Sequence, residues 1–263
     1  MNLIKPLLPL LLIIGGNINS FGQQKDILSN TLMTPKEYYL QVKQFGEFID
    51  RFNYKSDWRG NLITDEFKKV VSRKSYILYL VNSEDSRLIN PIDSSYRTLC
   101  SDFIAFIDDS KNPQTINLFG GQVKAFVNAQ ILFKGVAKNV MFELIPEVLP
   151  DRSAKWVINS VTADFLATNA DSLQKHFIAP NSHETSFINI KKLNSVTDPT
   201  YLLSKSITST LLFINEIENK HITINNTEKI TFRISFPGWE ITVEEFNRST
   251  NNSGWLISNI KKL

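Results

Sequence analysis

The sequence predicts an α+β fold built from two consecutive modules, each with helical segments followed by a four-stranded antiparallel sheet. Apolar residues recur at helical spacing in the first third of the chain, and residues typical of strands predominate after Pro113. The same order returns in the second half, where one helical segment precedes four strand-like segments.

The first predicted helix begins at Thr34-Pro35-Lys36-Glu37, where a hydroxyl cap, a proline and a glutamate form a capping box. Residues at helical spacing form its apolar face through about residue 53: Tyr38, Val42, Phe45, Ile49 and Phe52. Two further helices are predicted over about 64–80 and 94–108. The pair Asn90-Pro91 between them is typical of a turn.

Four strands are predicted behind these helices because Val, Ile and Phe become frequent there. They lie near residues 115–119, 122–134, 138–147 and 154–166. Turn-forming residues separate them at Gly120-Gly121, Gly135 and Pro150-Asp151.

The second half begins at Asp198-Pro199, which is again a helix cap followed by proline. One apolar face marks the helix that follows, with Leu203, Ile207, Leu211, Ile214 and Ile217. Strands are then predicted near 221–225, 229–236, 239–248 and 254–262. The pairs Asn225-Asn226 and Pro237-Gly238 and the run 249–254 supply the turns.

The ends of the two halves match each other residue by residue. Val140 and Trp156 correspond to Trp239 and Trp255 at a constant offset of 99 positions. We therefore expect Trp156 and Trp255 to play the same role, each opening the last strand of its module and closing the core against that module's helix. Chance similarity between alternating strands is the alternative.

The N-terminus has the order of a secretory signal peptide over residues 1–22. Lys5 is followed by an apolar run through Ile14, and Ser20 and Gly22 occupy the small-residue positions of a cleavage site before Gln23. The apolar run is about half the ~20 residues of a membrane-spanning helix, which disfavours the alternative of a permanent anchor. We expect a periplasmic or extracellular protein without an integral membrane span in the mature chain.

Charge and cysteine content narrow the possible partners. Removal of Lys5 with the signal peptide lowers the formal charge from +3 by one, a near balance that gives no indication of nucleic acid binding. The single cysteine, Cys100, excludes an intrachain disulfide, and its apolar helical neighbours predict a buried, inert thiol. The expected partner is an unknown protein or small-molecule ligand.

Two stretches carry a resemblance to a known family. The stretch 48–53 through Gly60, together with 73–77, and the stretch 236–257 resemble uncharacterised secreted proteins of Bacteroides-type bacteria with nuclear transport factor 2-like domains of the cystatin-like superfold. The resemblance implies a nuclear transport factor 2-like module over 34–166 after an N-terminal segment 23–33. A linker over 167–197 and a smaller cystatin-like module over 198–263 complete the implied organisation.

The resemblance also implies where a site would lie, although it carries no activity that can be transferred residue by residue. A curved sheet wrapped around helices forms a cone, and the mouth of such a cone houses a catalytic pair or a small-molecule pocket. The second module has one long helix instead of three. Its sheet is therefore expected to pack on the first module or on a partner.

Residues with catalytic or metal-binding chemistry are few. The three histidines, His176, His183 and His221, have no recognised metal spacing, and none lies in the first module. No metal or cofactor is therefore predicted, and no catalytic motif identifies site residues. Four carboxylates lie near predicted concave surfaces and are otherwise expected to be solvated or ion-paired: Asp50, Asp57, Glu143 and Asp164.

An aromatic side chain in a polar loop is a further candidate. Trp58 follows Lys55-Ser56-Asp57 and either rims a pocket or folds back on the first helix. The absence of a catalytic motif favours an exported non-catalytic binding or protein-interaction protein. The alternative is a small-molecule hydrolase or isomerase that uses a carboxylate in the cone of the first module.

Overall fold

The computed structural model describes residues 41–166, Phe187 and residues 204–263. Several predicted features lie outside the described residues. They are the signal peptide 1–22, the segment 23–33, the capping box at Thr34, the linker 167–197, the Asp198-Pro199 cap, His176 and His183.

Five helices precede the sheet in the first described part of the chain. They are α1 (Phe45–Phe52), α2 (Asp65–Val70), α3 (Arg73–Leu78), α4 (Ser86–Ile89) and α5 (Ser95–Ile107). The helix predicted over 94–108 is confirmed as α5. The helix predicted over 64–80 is divided, because Val71 is extended and the Ser72 hydroxyl accepts a hydrogen bond from the Ser75 N–H to begin α3.

The strands come in two groups of three, with one helix before the second group. The first group is β1 (Val123–Phe133), β2 (Val136–Val148) and β3 (Ala154–Thr162), and a 3-10 turn follows at Asp164–Leu166. Then come α6 (Lys205–Glu218), β4 (Ile222–Phe236), β5 (Trp239–Phe246) and β6 (Gly254–Lys262).

One predicted strand and one predicted turn are wrong. Residues 115–119 form no strand, because the Asn53 side chain holds both the N–H and the C=O of Ile116 and so replaces a sheet partner. The turn predicted at Asn225-Asn226 is absent, since β4 runs through it while paired with β1. Register shifts between Asn128 and Ala129 and between Gln130 and Ile131 accommodate the extra residues.

All six strands form one antiparallel sheet in the order β3-β2-β1-β4-β5-β6. The predicted α+β class is confirmed, whereas the expectation of two separate four-stranded sheets is wrong. β1 and β4 pair along the whole of β1, from Val123 opposite Ile234 to Phe133 opposite Ile222. This pairing joins the two groups of strands and removes the exposed edge that each would otherwise have at that side.

The helices pack on the strands of the opposite half. The larger core cluster combines α1, α3 and α5 with β4, β5, β6 and the start of β1. The smaller cluster combines α6, through Phe213, with β1, β2 and β3. Alternate residues of β1 contribute to both clusters, so the two helical layers cover two ends of one sheet face. We call this the inner face.

Backbone contacts fix the first helical layer to the outer edge of β6. Val42 exchanges hydrogen bonds with Ser253 and Trp255, and Ile257 does so with Leu80 and Asn82. Val42 approaches so closely that a Cβ on Gly254, which has φ +82°, would lie 2.0 Å from the Val42 carbonyl oxygen. These contacts cover the edge of β6 with chain from the N-terminal half.

Candidate functional site

The four predicted carboxylates lie on different elements of the fold, and within the described ranges no hydrogen bond joins any two of them. Asp50 and Asp164 are exposed. The Asp57 carboxylate accepts hydrogen bonds from the N–H groups of Arg59 and Asn61, which closes its own loop. These three residues therefore provide no acid and base pair at the mouth of a cone.

Glu143 is the most buried of the four, and it lies on the outer face of the sheet, away from both helical layers. Burial alone would raise the pKa of its carboxyl, but hydrogen bonds from Lys124 at 2.9 Å and Asn159 at 2.8 Å outweigh burial and hold the pKa below its ordinary value. A carboxylate with a lowered pKa is a poor general base at neutral pH.

Trp58 folds back toward the first helix rather than standing free at a pocket. Its ring lies 5.0 Å from that of Phe67, and its carbonyl accepts a hydrogen bond from Arg51 of α1. Phe67 also packs on Tyr54 and Tyr76, which makes a small aromatic cluster under the loop. Trp58 is therefore placed as a packing residue.

The neighbours of His221 and Cys100 belong to the packing of the fold. His221 Nδ1 lies 2.7 Å from Glu216 Oε2 at the end of α6. Across residues 41–166, 187 and 204–263, no three His, Cys, Asp or Glu side chains are grouped so that they could hold a metal ion. The prediction that Cys100 is buried is confirmed, and burial raises the pKa of its thiol to about 11.

The two tryptophans that were expected to be equivalent differ in environment. Trp255 is 9% exposed and packs on Phe45 of α1 and on Phe232 of β4. Trp156 is 39% exposed and has one described ring neighbour, Phe232, at 5.9 Å. The prediction of a shared role is wrong, because the single sheet places β6 under a helical layer and leaves this end of β3 at an open edge.

The Trp156 contact joins two strands that are not adjacent in the sheet. Trp156 lies on β3 and Phe232 on β4, with β2 and β1 between them. Adjacent strands are about 4.8 Å apart, so a flat sheet would separate these backbones by roughly 14 Å. The rings meet on the inner face, above the row that contains the small residue Ala125.

An apolar face of α6 is partly exposed. Ile207, Leu211, Ile214 and Ile217 are each 40–47% exposed. We call these four side chains the α6 stripe. The predicted helical periodicity is confirmed for them, and a substantial part of each side chain on this face remains in contact with solvent.

Contacts of two further α6 residues with the first group of strands explain the orientation of the helix. Phe213 is 2% exposed and packs edge-on against Phe142 of β2, with the ring centroids 5.3 Å apart. The Thr210 hydroxyl accepts a hydrogen bond from the Val161 N–H of β3 and donates one to the Ser206 carbonyl. These contacts fix the rotation of the helix. Because Thr210 lies three residues after Ile207 and four before Ile214, it shares their helix face, so the stripe borders the contact with β3 and is only partly exposed. The large aromatic Phe213, off the aliphatic repeat, was the sequence signal for this arrangement.

Among the described residues, no strand pairs with the outer side of the first five residues of β3, and sequence reasoning did not find this exposed strand edge. Trp156 and its paired residue Pro146 lie in one row on the inner face of the sheet. Leu144, which is partly covered, and Ile158, which is exposed, continue this row. Ile158 is 51% exposed. Leu144 packs against both core clusters, whereas Trp156 and Ile158 remain exposed, and Thr210 occupies the edge at Val161. We call residues 154–158 the β3 edge.

Two surface cavities are formed by described residues. One, of about 260 Å³, lies beside Glu245, Arg248 and Gly254. The other, of about 380 Å³, lies beside Arg87 and Tyr96. Arg87 is already held by Asp85 at 2.6 Å and stacks over the Tyr96 ring at 3.8 Å. Structural contacts therefore account for the principal cation of the larger cavity.

Comparison with protein-family models, with curated proteins and with solved structures finds no match. A search of the described helices also finds none with the length and apolar character needed to cross a bilayer. The α6 stripe and the β3 edge are therefore the surfaces from which a function can be argued.

Proposed function

We propose that this chain is an exported, non-catalytic protein-interaction protein that binds an amphipathic helix of another polypeptide on the α6 stripe. Export is proposed from the signal peptide pattern of residues 1–22. The single observation that carries the interaction is the partly exposed aliphatic face of a helix that is already packed on the sheet through Phe213.

The spacing of the stripe suits a helical partner. Ile207, Leu211 and Ile214 follow each other at intervals of four and three residues, which places them in one row along the helix. Such a row packs into the grooves of a second helix at a shallow crossing angle. A partner helix with its own row of Leu or Ile residues provides the matching surface.

Burial of the stripe provides a driving force for binding. Complete burial of a Leu or Ile side chain contributes about 1.5–3 kcal/mol, and somewhat less than half of each side chain is exposed here. Each of the four therefore has on the order of 1 kcal/mol still to gain. Loss of rotational freedom on association offsets part of this sum.

We propose, in addition, that the arrangement is a variant of the nuclear transport factor 2-like fold within the cystatin-like superfold. Helices packed on one face of an antiparallel sheet support this proposal. The alternative function, a hydrolase or isomerase, requires a carboxylate in an apolar cavity. The surroundings of Asp57 and Glu143 give that alternative no support.

Site-specific photo-crosslinking in the cells that naturally produce the chain tests the proposed interaction. A photoreactive amino acid at Leu211 is expected to give one crosslinked polypeptide, because Leu211 lies at the centre of the stripe. The same group at the exposed Glu228 of β4 is the matched control. The double substitution Ile207→Gln and Ile214→Gln should remove the product while the melting temperature stays within a few degrees.

Two results would contradict the proposed function. One is a crosslinking pattern at Leu211 that is the same as that at Glu228. The other is a product that survives the double substitution, since a partner held by the stripe requires these aliphatic side chains.

A further inference from the structure

We propose that the β3 edge is a self-association site, at which two copies of this chain pair their β3 strands antiparallel over residues 154–158. The pairing would join two six-stranded sheets into one continuous sheet about a two-fold axis. This proposal uses a different surface from the α6 stripe and does not depend on the proposed function.

The backbone of the β3 edge has hydrogen-bonding groups directed outward. The Leu149 N–H donates to the Ser153 carbonyl at 2.7 Å and thereby makes 149 and 153 a hydrogen-bonded pair. Because such pairs alternate along an antiparallel ladder, the N–H and C=O groups of Ala154, Trp156 and Ile158 point away from β2.

Pro146 on β2 and the hydrogen bond at Val161 both agree with this alternation of inward and outward groups. Pro146, which has no N–H, lies opposite Trp156 at a position that requires no hydrogen bond between β2 and β3. Farther along β3, the Val161 N–H points outward and is bound by Thr210. Within the described part of the chain, no comparable hydrogen bond reaches the outward groups of Ala154, Trp156 and Ile158.

The side chains of the β3 edge lack the usual protection against strand pairing. Exposed edges in native proteins commonly carry inward-facing charges or proline. Ala154, Trp156 and Ile158 are all apolar, and the one charged residue of the segment, Lys155, lies on the other face of the sheet. Both the backbone and the inner-face side chains are therefore suited to another strand.

A two-fold axis through Trp156 gives a self-complementary register. Trp156 lies beside Trp156 of the partner subunit, and Ile158 lies opposite Ala154 of the partner subunit, so that a large side chain faces a small one. Lys155 lies opposite Val157 of the partner subunit, and no like charges face each other directly. The segment thus pairs with itself without a cavity or a charge conflict in the central row.

The rest of the fold limits the pairing in length and in number. An extra residue at Asn159 makes a bulge between β2 and β3, and α6 occupies the edge beyond it through Thr210. The opposite edge of the sheet, at β6, is covered at Trp255 and Ile257 by the N-terminal layer. The bulge of β3 and the covered positions of β6 therefore favour association that stops at two copies over growth into a fibre.

Sedimentation equilibrium of the mature chain tests the proposal. The parent protein is expected to have twice the monomer mass at micromolar concentration. Ala154→Pro removes an outward N–H and should weaken dimerisation at least tenfold, while the pairing of β2 with β3 is kept. Leu211→Gln on the α6 stripe is the matched control and should leave the dimer unchanged.

An engineered disulfide provides a test that does not depend on the loss of assembly. With Cys100→Ser to remove the native thiol, Trp156→Cys places two cysteines across the axis at a hydrogen-bonded position. The Cα atoms would lie about 5.5 Å apart, within the range that a disulfide spans. Mild oxidation should give a covalent dimer, whereas Glu147→Cys in the same background should give none.

Three outcomes would overturn the proposal. They are a parent protein that stays monomeric at 100 µM or so, a dimer that Leu211→Gln dissociates and Ala154→Pro does not, and equal covalent dimer formation by the Trp156→Cys and Glu147→Cys variants. Circular dichroism of each variant shows whether its fold is intact, and the disulfide assay decides the question if Ala154→Pro fails to fold.

Discussion

At the scale of single residues, the same side chain has different roles at matching positions of the two halves. Trp255 fills the space between α1 and β4, where Phe45 and Phe232 contact it. Trp156, at the matching position of the first half, lies half-covered on an open strand. The environment supplied by the neighbouring elements, and not the local sequence, determines which tryptophan is part of the core.

Alanine substitution should separate these two roles. Trp255→Ala removes a buried ring and leaves a cavity, so the free energy of unfolding should fall by about 3–5 kcal/mol. Trp156→Ala should lower it by only about 1 kcal/mol, because much of that ring is already in water. Urea unfolding of both variants beside the parent provides the measurement. Equal losses would contradict the different environments described for the two rings.

At the scale of elements, the contact between β6 and the chain at Val42 holds the first helical layer in place. Val42 exchanges two backbone hydrogen bonds with residues on either side of Gly254. This approach requires a residue without a Cβ, and the positive φ of Gly254 adds a second reason for glycine. A single glycine therefore decides whether the edge of β6 can be covered.

Two glycine substitutions distinguish close approach from backbone conformation. Gly238 has φ +73° with open space around it, so Gly238→Ala should cost about 1–2 kcal/mol of stability from the backbone alone. Gly254→Ala has the same backbone penalty and also a collision with Val42, and it should cost at least about 2 kcal/mol more. Thermal unfolding measures both. Similar losses would mean that the β6 edge contact contributes little.

At the scale of the whole molecule, the two halves of the chain are interlocked. The helices before β1 cover β4, β5 and β6, while α6, which precedes β4, covers the first group of strands. The central pair β1 and β4 joins the halves through the sheet as well. Neither half retains a covered sheet face when the other is removed.

Separate expression of the halves tests this interlocking. Residues 23–197 alone and 198–263 alone should each lack a cooperative unfolding transition, because each keeps helices whose strands lie in the other fragment. Mixing the two fragments should restore the transition and the near-ultraviolet circular dichroism. Independent, cooperative folding of either fragment would instead support two self-contained modules.

The sequence predicts the parts of this fold that depend on local pattern. α5 and the strand pairs within each half follow from helical spacing, alternation and turn residues. The pairing of β1 with β4 is a contact between residues about a hundred positions apart, and no local pattern specifies it. The expected division into two sheets failed for this reason.

The sequence predicts part of the α6 stripe and none of the β3 edge, for a related reason. The spacing of Ile207, Leu211 and Ile214 shows that they share one helix face. It does not show that the helix contacts the sheet through Phe213 and Thr210. The open edge of β3 depends on which strand happens to be last in the sheet, and that order is a property of the assembled fold.

The hydrogen bond from the Val42 N–H to the Ser253 carbonyl has a consequence for the order in which the protein matures. Its two partners are made near the start and the end of synthesis, and contacts between such distant positions form slowly. The first helical layer therefore cannot complete its packing until β6 has been synthesised. For a chain proposed to cross a membrane unfolded, this delay keeps the polypeptide in a state that can be exported. Folding is then completed on the far side of the membrane.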